Sequence, residues 1–131
     1  MKRRKKMNIT KLNDCLENLK RDLGEGLIAS SIITTSDCQT IAATEKSSPV
    51  TASIFGEVTN FIQSALSKGP YPQLGKFYYM DLVGSKGLIF IPLGDYQWGI
   101  SIDTKKCKLG LLLNIILPQM IANFENAVTT S

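Results

Sequence analysis

No histidine occurs anywhere in the 131 residues. Nucleophilic triads built on imidazole are therefore excluded. Cysteine is scarce: Cys15, Cys38 and Cys107 stand far apart. They lack the close pairing that a zinc site needs, so no metal is expected. An odd cysteine count without a secretory leader points to free thiols in a reducing, cytoplasmic compartment. No G-x-x-x-x-G-K-[ST] run is present, and Gly24 and Gly26 lead into a strand-like segment rather than a helix. A phosphate cradle of either familiar kind is thereby ruled out, and no cofactor is expected. Long apolar runs are missing too. The stretch 109–117, with Met120 and Ile121, is interrupted by Asn114, Pro118 and Gln119. It falls short of the roughly 18 to 20 residues that span a bilayer, and reads as a buried helix.

What the chain does have is ordinary globular material, 44% hydrophobic and 20% charged, at a length suited to one domain. Its net charge of +4 is concentrated at one end. Lys2, Arg3, Arg4, Lys5 and Lys6 supply five of the fifteen basic residues, which leaves ten against eleven acidic ones and a body at −1. The expected division is a disordered basic arm over 1–7 and one domain over 8–131. No apolar segment follows the arm, so a signal peptide is not expected. Met7 directly precedes Asn8-Ile9-Thr10, and initiation there would remove the arm altogether.

Ile9, Leu12, Leu16, Leu19 and Leu23 recur at intervals of three and four, the stripe of an amphipathic helix that Gly24 would end. Strands are expected over Leu27–Thr34 and 40–44, joined by a turn through Ser36 and Asp37. Ser48-Pro49 is an N-cap followed by proline at the first helical position, opening a helix to about Ser67. Its apolar residues cover a wide arc: Val50, Ile54, Phe55, Val58, Phe61, Ile62, Ala65 and Leu66. Such an arc buries two sides, one against the chain's own sheet and one against something else. After the break at Gly69-Pro70-Tyr71-Pro72, three strands at 76–83, 88–93 and Tyr96–Asp103 form an antiparallel meander. The first of them is apolar on both parities, so both its faces should be covered. A helix over 108–128 closes the chain, with Pro118 as an expected kink. The order α-β-β-α-β-β-β-α describes a layered α/β (α+β) domain with helices on both faces of a sheet.

No catalytic constellation accompanies these elements. Asp81 lies inside an otherwise apolar strand without a second polar partner, which suits an edge or an interface better than catalysis. Nothing adjacent to Cys38 would activate its thiol. Trp98, Tyr96, Phe90, Tyr78 and Tyr79 are carried by strands poor in lysine and arginine, so packing explains them better than base stacking, and no specific nucleic-acid partner is expected. The cluster Lys105-Lys106-Cys107-Lys108 reads first as a solvated turn before the last helix, with contact to an acidic partner as the lesser alternative.

Three local patterns, in order, resemble the roadblock/dynein light chain family over roughly residues 9 to 128. They are Gly26-Leu27-Ile28-Ala29-Ser30 leading to Ser36-Asp37-Cys38-Gln39-Thr40-Ile41-Ala42, then Gly87-Leu88-Ile89-Phe90-Ile91-Pro92-Leu93-Gly94, then Asp103 followed by Leu109-Gly110-Leu111. Cys38 stands where the family's turn glycine is usual, leaving that turn's geometry open. The resemblance implies a roadblock/longin-like, five-stranded antiparallel sheet with one helix on one face and two on the other. It implies a homodimer formed through the middle helix and the neighbouring edge strand. On this chain those elements carry Ile54, Phe55, Val58, Phe61 and Ile62, and Phe77, Tyr79 and Asp81; the sequence leaves open which face their own sheet. The implied role is non-enzymatic regulation or scaffolding of a small Ras-like GTPase. The alternative is an adaptor tethered by its basic arm to nucleic acid or an anionic membrane, the arm being the one expected route to a membrane.

Overall fold

The computed structural model describes residues 9–129; the basic arm lies outside the described residues. Helix α1 covers Ile9–Leu23 and buries Leu12, Cys15, Leu16, Leu19 and Leu23, the stripe that its spacing predicts. Gly24, at φ +52°, ends it and a short 3₁₀ turn over Gly24–Gly26 leads into the sheet. This is the left-handed position that glycine occupies at the least steric cost.

Strand β1 is Leu27–Thr34 and β2 is Thr40–Ala43. The turn between them places Cys38 at φ 56°, so cysteine adopts the left-handed conformation for which glycine is usual. The Thr34 hydroxyl meets the Asp37 carboxylate, and Cys38 N–H donates to the Thr34 carbonyl at 3.0 Å, which holds that geometry. Helix α2 spans Pro49–Ser67; the Ser48 hydroxyl caps it by accepting from Thr51 N–H at 3.2 Å.

The meander consists of β3 (Tyr78–Leu82), β4 (Lys86–Leu93) and β5 (Tyr96–Asp103). Strand β3 is shorter than the predicted 76–83, leaving Phe77 and Val83 outside it, whereas β4 begins two residues earlier than predicted. Leu82 pairs with Lys86 across a three-residue connection in which Gly84 and Ser85 have positive φ. Leu93 pairs with Tyr96 across two residues that start with Gly94 at φ 58°, the hairpin position that takes glycine. All pairings are antiparallel, and the strand order is β2-β1-β5-β4-β3. Strands β2 and β3 are therefore the edges.

The final helix runs as α3 (Leu109–Leu111), a π-helical segment (Leu112–Ile116) and α4 (Leu117–Thr129). Pro118 has no N–H for the Asn114 carbonyl, and the wider π turn sits immediately before it, where the sequence predicts a kink. As one continuous element the helix Leu109–Val128 is long and apolar enough to cross a membrane by length and composition, contrary to the sequence estimate of the shorter run. Its inner face is nevertheless committed to the core through Leu112, Leu117, Met120, Ile121, Phe124 and Ala127.

Helices α1 and α4 pack together over one face of the sheet, against Ile32, Ile89, Ile91, Trp98, Ile100 and Ile102. Trp98 is wholly buried, stacks edge-on against Phe124 at 5.5 Å and donates its indole N–H to Ser30 Oγ at 2.7 Å. The Ser30 hydroxyl in turn donates a hydrogen bond to the Gly99 carbonyl at 2.9 Å. Helix α2 covers the other face alone, over Ile33 and Phe90. The result is an α/β fold with a five-stranded antiparallel sheet between one helix and two.

Candidate interaction surface

The position of α2 depends on glycines. The Phe55 ring lies directly on Gly99 of β5, where a Cβ would stand 2.0 Å from a ring carbon. Gly56 leaves a notch that the Cys38 thiol fills, with Sγ 2.1 Å from where a Cβ would be. Because these approaches are so close, the helix face toward the sheet is built from small or polar residues around one large ring: Ala52, Phe55, Gly56 and Thr59. The Thr59 hydroxyl bonds the Tyr78 hydroxyl at 2.6 Å, and Asn60 donates to the Thr35 carbonyl at 3.3 Å. Tyr78 in turn stacks on Phe90 with centroids 4.5 Å apart. Burial raises the Tyr78 hydroxyl's pKa, offset in part by the bond to Thr59.

The large aliphatic and aromatic side chains of α2 point elsewhere. Val50 is 70% exposed, Ile54 46% and Phe61 75%, at intervals of four and seven along one stripe. Val58 and Ile62 flank that stripe half-buried. Beside them, β3 pairs with β4 alone and presents its second edge unpaired. Residues Phe77, Leu82 and Val83 are exposed around it, Val83 almost completely. Exposed apolar residues of this size on a helix and at a sheet edge make these two elements the candidate interaction surface.

Two of the eight residues assigned to an interface from sequence lie elsewhere. Phe55 is 1% exposed and belongs to the core of its own subunit; the signal that separates it from Ile54 is Gly99, remote in sequence. Tyr79 projects to the opposite face of the sheet, where it packs against the α1/α4 core and covers Gly87. Strand parity instead directs Tyr78 and Met80 toward the α2 side. Asp81 is exposed at the edge and accepts from the Tyr79 hydroxyl at 3.5 Å. Val50, Leu82 and Val83 were not assigned from sequence, although Val50 lies on the same helical stripe as Ile54.

Nothing else among the described residues is assembled for chemistry. No group of three or more cysteine, aspartate or glutamate side chains could hold a metal. The cleft between α1 and α4, lined by Lys11, Asp14, Cys15, Asn18, Asn123 and Asn126, measures about 160 Å³, below the ~300 Å³ at which small-molecule pockets begin. All three cysteines are free. Burial pushes the Cys15 thiol up to about 11, helped by Asp14, and pushes Cys38 and Cys107 upward as well. These shifts favour the unreactive thiol over the nucleophilic thiolate.

No protein-family model matches the sequence, and no curated protein matches it. Solved structures do match the fold. Myxococcus xanthus MglB superimposes with a TM-score of 0.76 at 13% identity, covering 99% of each chain. The gliding protein MglB from Thermus thermophilus gives 0.73 at 10% identity, over 96% of this chain and 98% of that one. A roadblock/LC7 domain from Streptomyces avermitilis gives 0.53 at 9% identity, over 76% of this chain and 83% of that one. At such identities the likeness is one of fold: the chain has the roadblock/LC7 fold in the form seen in MglB.

Proposed function

We propose that this protein is a non-enzymatic homodimeric module, located in the cytoplasm, that regulates or scaffolds a small Ras-like GTPase. The observation that carries the reading is the orientation of α2, which turns its small and polar residues inward and Val50, Ile54 and Phe61 outward. A second copy is the simplest cover for such a stripe. Pairing β3 with β3 of that copy satisfies the open edge and brings the two α2 helices together on one side, an isologous contact. The likeness to MglB over nearly the whole chain supports the partner class. Three free thiols support a reducing compartment.

Light scattering and sedimentation of the wild type and of Phe61→Asp test the dimer. Phe61 contributes almost nothing to its own subunit's core, so the variant should fold with an unchanged monomer and lose about 2–4 kcal/mol at each of the two symmetric sites. A wild type that stays monomeric at high concentration would refute the assembly. Affinity capture with the lysate charged alternately with GDP or a non-hydrolysable GTP analogue tests the partner. Recovery of a small GTPase in one nucleotide state is expected; equal recovery of nothing in both would remove the regulatory reading.

A further inference from the structure

The last helix begins with a feature that neither its core packing nor the α2 surface uses. Lys105, Lys106 and Lys108 are exposed and form no side-chain ion pair among the described residues. Immediately after them Leu111 is 45% exposed and Ile115 is 64% exposed, turned away from the buried Leu112 and Leu117. From Thr104 to Phe124 the sequence contains no aspartate or glutamate. The carboxylate that opens the loop, Asp103, is engaged by Lys86 at 3.4 Å and by Lys105 N–H at 3.0 Å, with Lys106 adding to the positive charge around it. Within residues 104–124 the charged side chains are all lysines.

The geometry points to an anionic lipid bilayer as the occupant of this surface. The two aliphatic side chains project into solvent from a helix, which suits shallow insertion among acyl chains. Lysines one turn before them would lie at headgroup level, their stems on the apolar surface and their ammonium groups on phosphate. Position within the fold adds a second argument, which rests on the dimer proposed above. A two-fold axis that joins β3 to β3 in one sheet is normal to that sheet, so the α1/α4 faces of both subunits share one side. The dimer then offers two copies of the lysine–leucine–isoleucine surface to a single plane, and planar surfaces reward that bivalence. Helix α1, which follows the basic run Lys2–Lys6 in the sequence, lies on the same side. The α2 helices of both subunits lie on the opposite side of the joined sheet, so a membrane contact here would not compete with the seam between them.

Co-sedimentation of the full chain with phosphatidylcholine vesicles, and with phosphatidylcholine vesicles containing phosphatidylserine, tests the proposal. Binding is expected to the second alone. Each lysine near the surface is worth about fivefold, so Lys105→Ala/Lys106→Ala/Lys108→Ala should weaken binding on the order of a hundredfold. Leu111→Ser/Ile115→Ser should weaken it by about tenfold with an unchanged melting temperature; if that variant fails to fold, the lysine variant decides. Deleting residues 1–6 should leave the contribution of both substitutions intact. Phe61→Asp separates the two readings: lower binding with monomers supports bivalence, whereas unchanged binding from a chain already monomeric removes the dimer and leaves this surface standing. The proposal is overturned if the full chain ignores both vesicle types, or if binding survives both patch variants and disappears with the arm. It also fails if Leu111→Ser/Ile115→Ser alters the oligomeric state, which would make this face a contact between copies.

Discussion

The two faces of this sheet are stabilised in different ways. On the α1/α4 face the buried set is apolar, with the sulfur atoms of Cys15 and Met120 among it, and Ser30 ties in the polar groups. Trp98 donates to its hydroxyl, that hydroxyl donates to the Gly99 carbonyl, and its backbone N–H donates to the buried Thr44 hydroxyl. On the α2 face the fully buried apolar residues are Ile33, Ala52, Phe55 and Phe90, mixed with the Thr59–Tyr78 hydroxyl pair. Ser31 and Gln97 are also buried there, with side-chain atoms that no described protein group meets. The first face holds by volume and area. The second holds by close approach at two glycines, with unmatched polar groups that cost about 1–3 kcal/mol each. A helix anchored so lightly, with Phe55 inward and Val50, Ile54 and Phe61 outward, would gain stability from a partner.

The sharpest way to break the contrast is to delete one ring from each face. Phe124→Ala should cost about 4 kcal/mol and lower the whole unfolding transition, because it opens a cavity in the common core. Phe55→Ala should instead raise hydrogen exchange selectively in α2, leaving β5 amides protected. Uniform exchange across both elements would show that the two faces unfold as one. Gly99→Ala comes next: its new Cβ meets the Phe55 ring, and about 3 kcal/mol should be lost in urea titrations. Gly110→Ala, where a Cβ meets nothing, should be neutral or stabilising.

A smaller effect belongs to the apolar face alone. Cys15 is buried against α4, and its thiol is raised from 9.0 to about 11, chiefly by burial. A raised folded value means that the protonated thiol stabilises the native state below about pH 9 and that this contribution is lost as pH climbs toward 11. The loss should reach about 2 kcal/mol and be absent in Cys15→Ala, as read from melts between these pH values. A smaller shift than that of Cys15 is expected on the polar face. Gln97→Met removes a buried amide and keeps its volume, and should stabilise by about 1 kcal/mol. A loss of stability would mean that the amide has a partner in solution and that this face is better satisfied than it looks.

Much of this architecture was legible beforehand. The α1 stripe, the Ser48-Pro49 start of α2, and strands Leu27–Thr34 and Tyr96–Asp103 follow from periodicity and punctuation, which are local properties. The wide apolar arc of α2 was legible as well, though not which of its residues stay exposed. Strand β3 was harder. Apolar residues of both parities hid which ones turn toward α2, and the ends at Phe77 and Val83 looked like strand although they lie outside the ladder. The π turn before Pro118 follows from proline chemistry only once the helix is known to continue through it.

From the sequence alone came the element order, the absence of imidazole and phosphate-loop chemistry, and the excess of apolar surface on α2. Each depends on residue type and spacing along the chain. Tertiary structure alone decided that Phe55 turns inward while Phe61 stays out, that Tyr79 serves the opposite face, and that Leu111 and Ile115 emerge beside three exposed lysines. The reason is physical: a residue's side is set by what the sheet leaves room for, and Gly99, which makes room for Phe55, lies far from it along the chain, on another element.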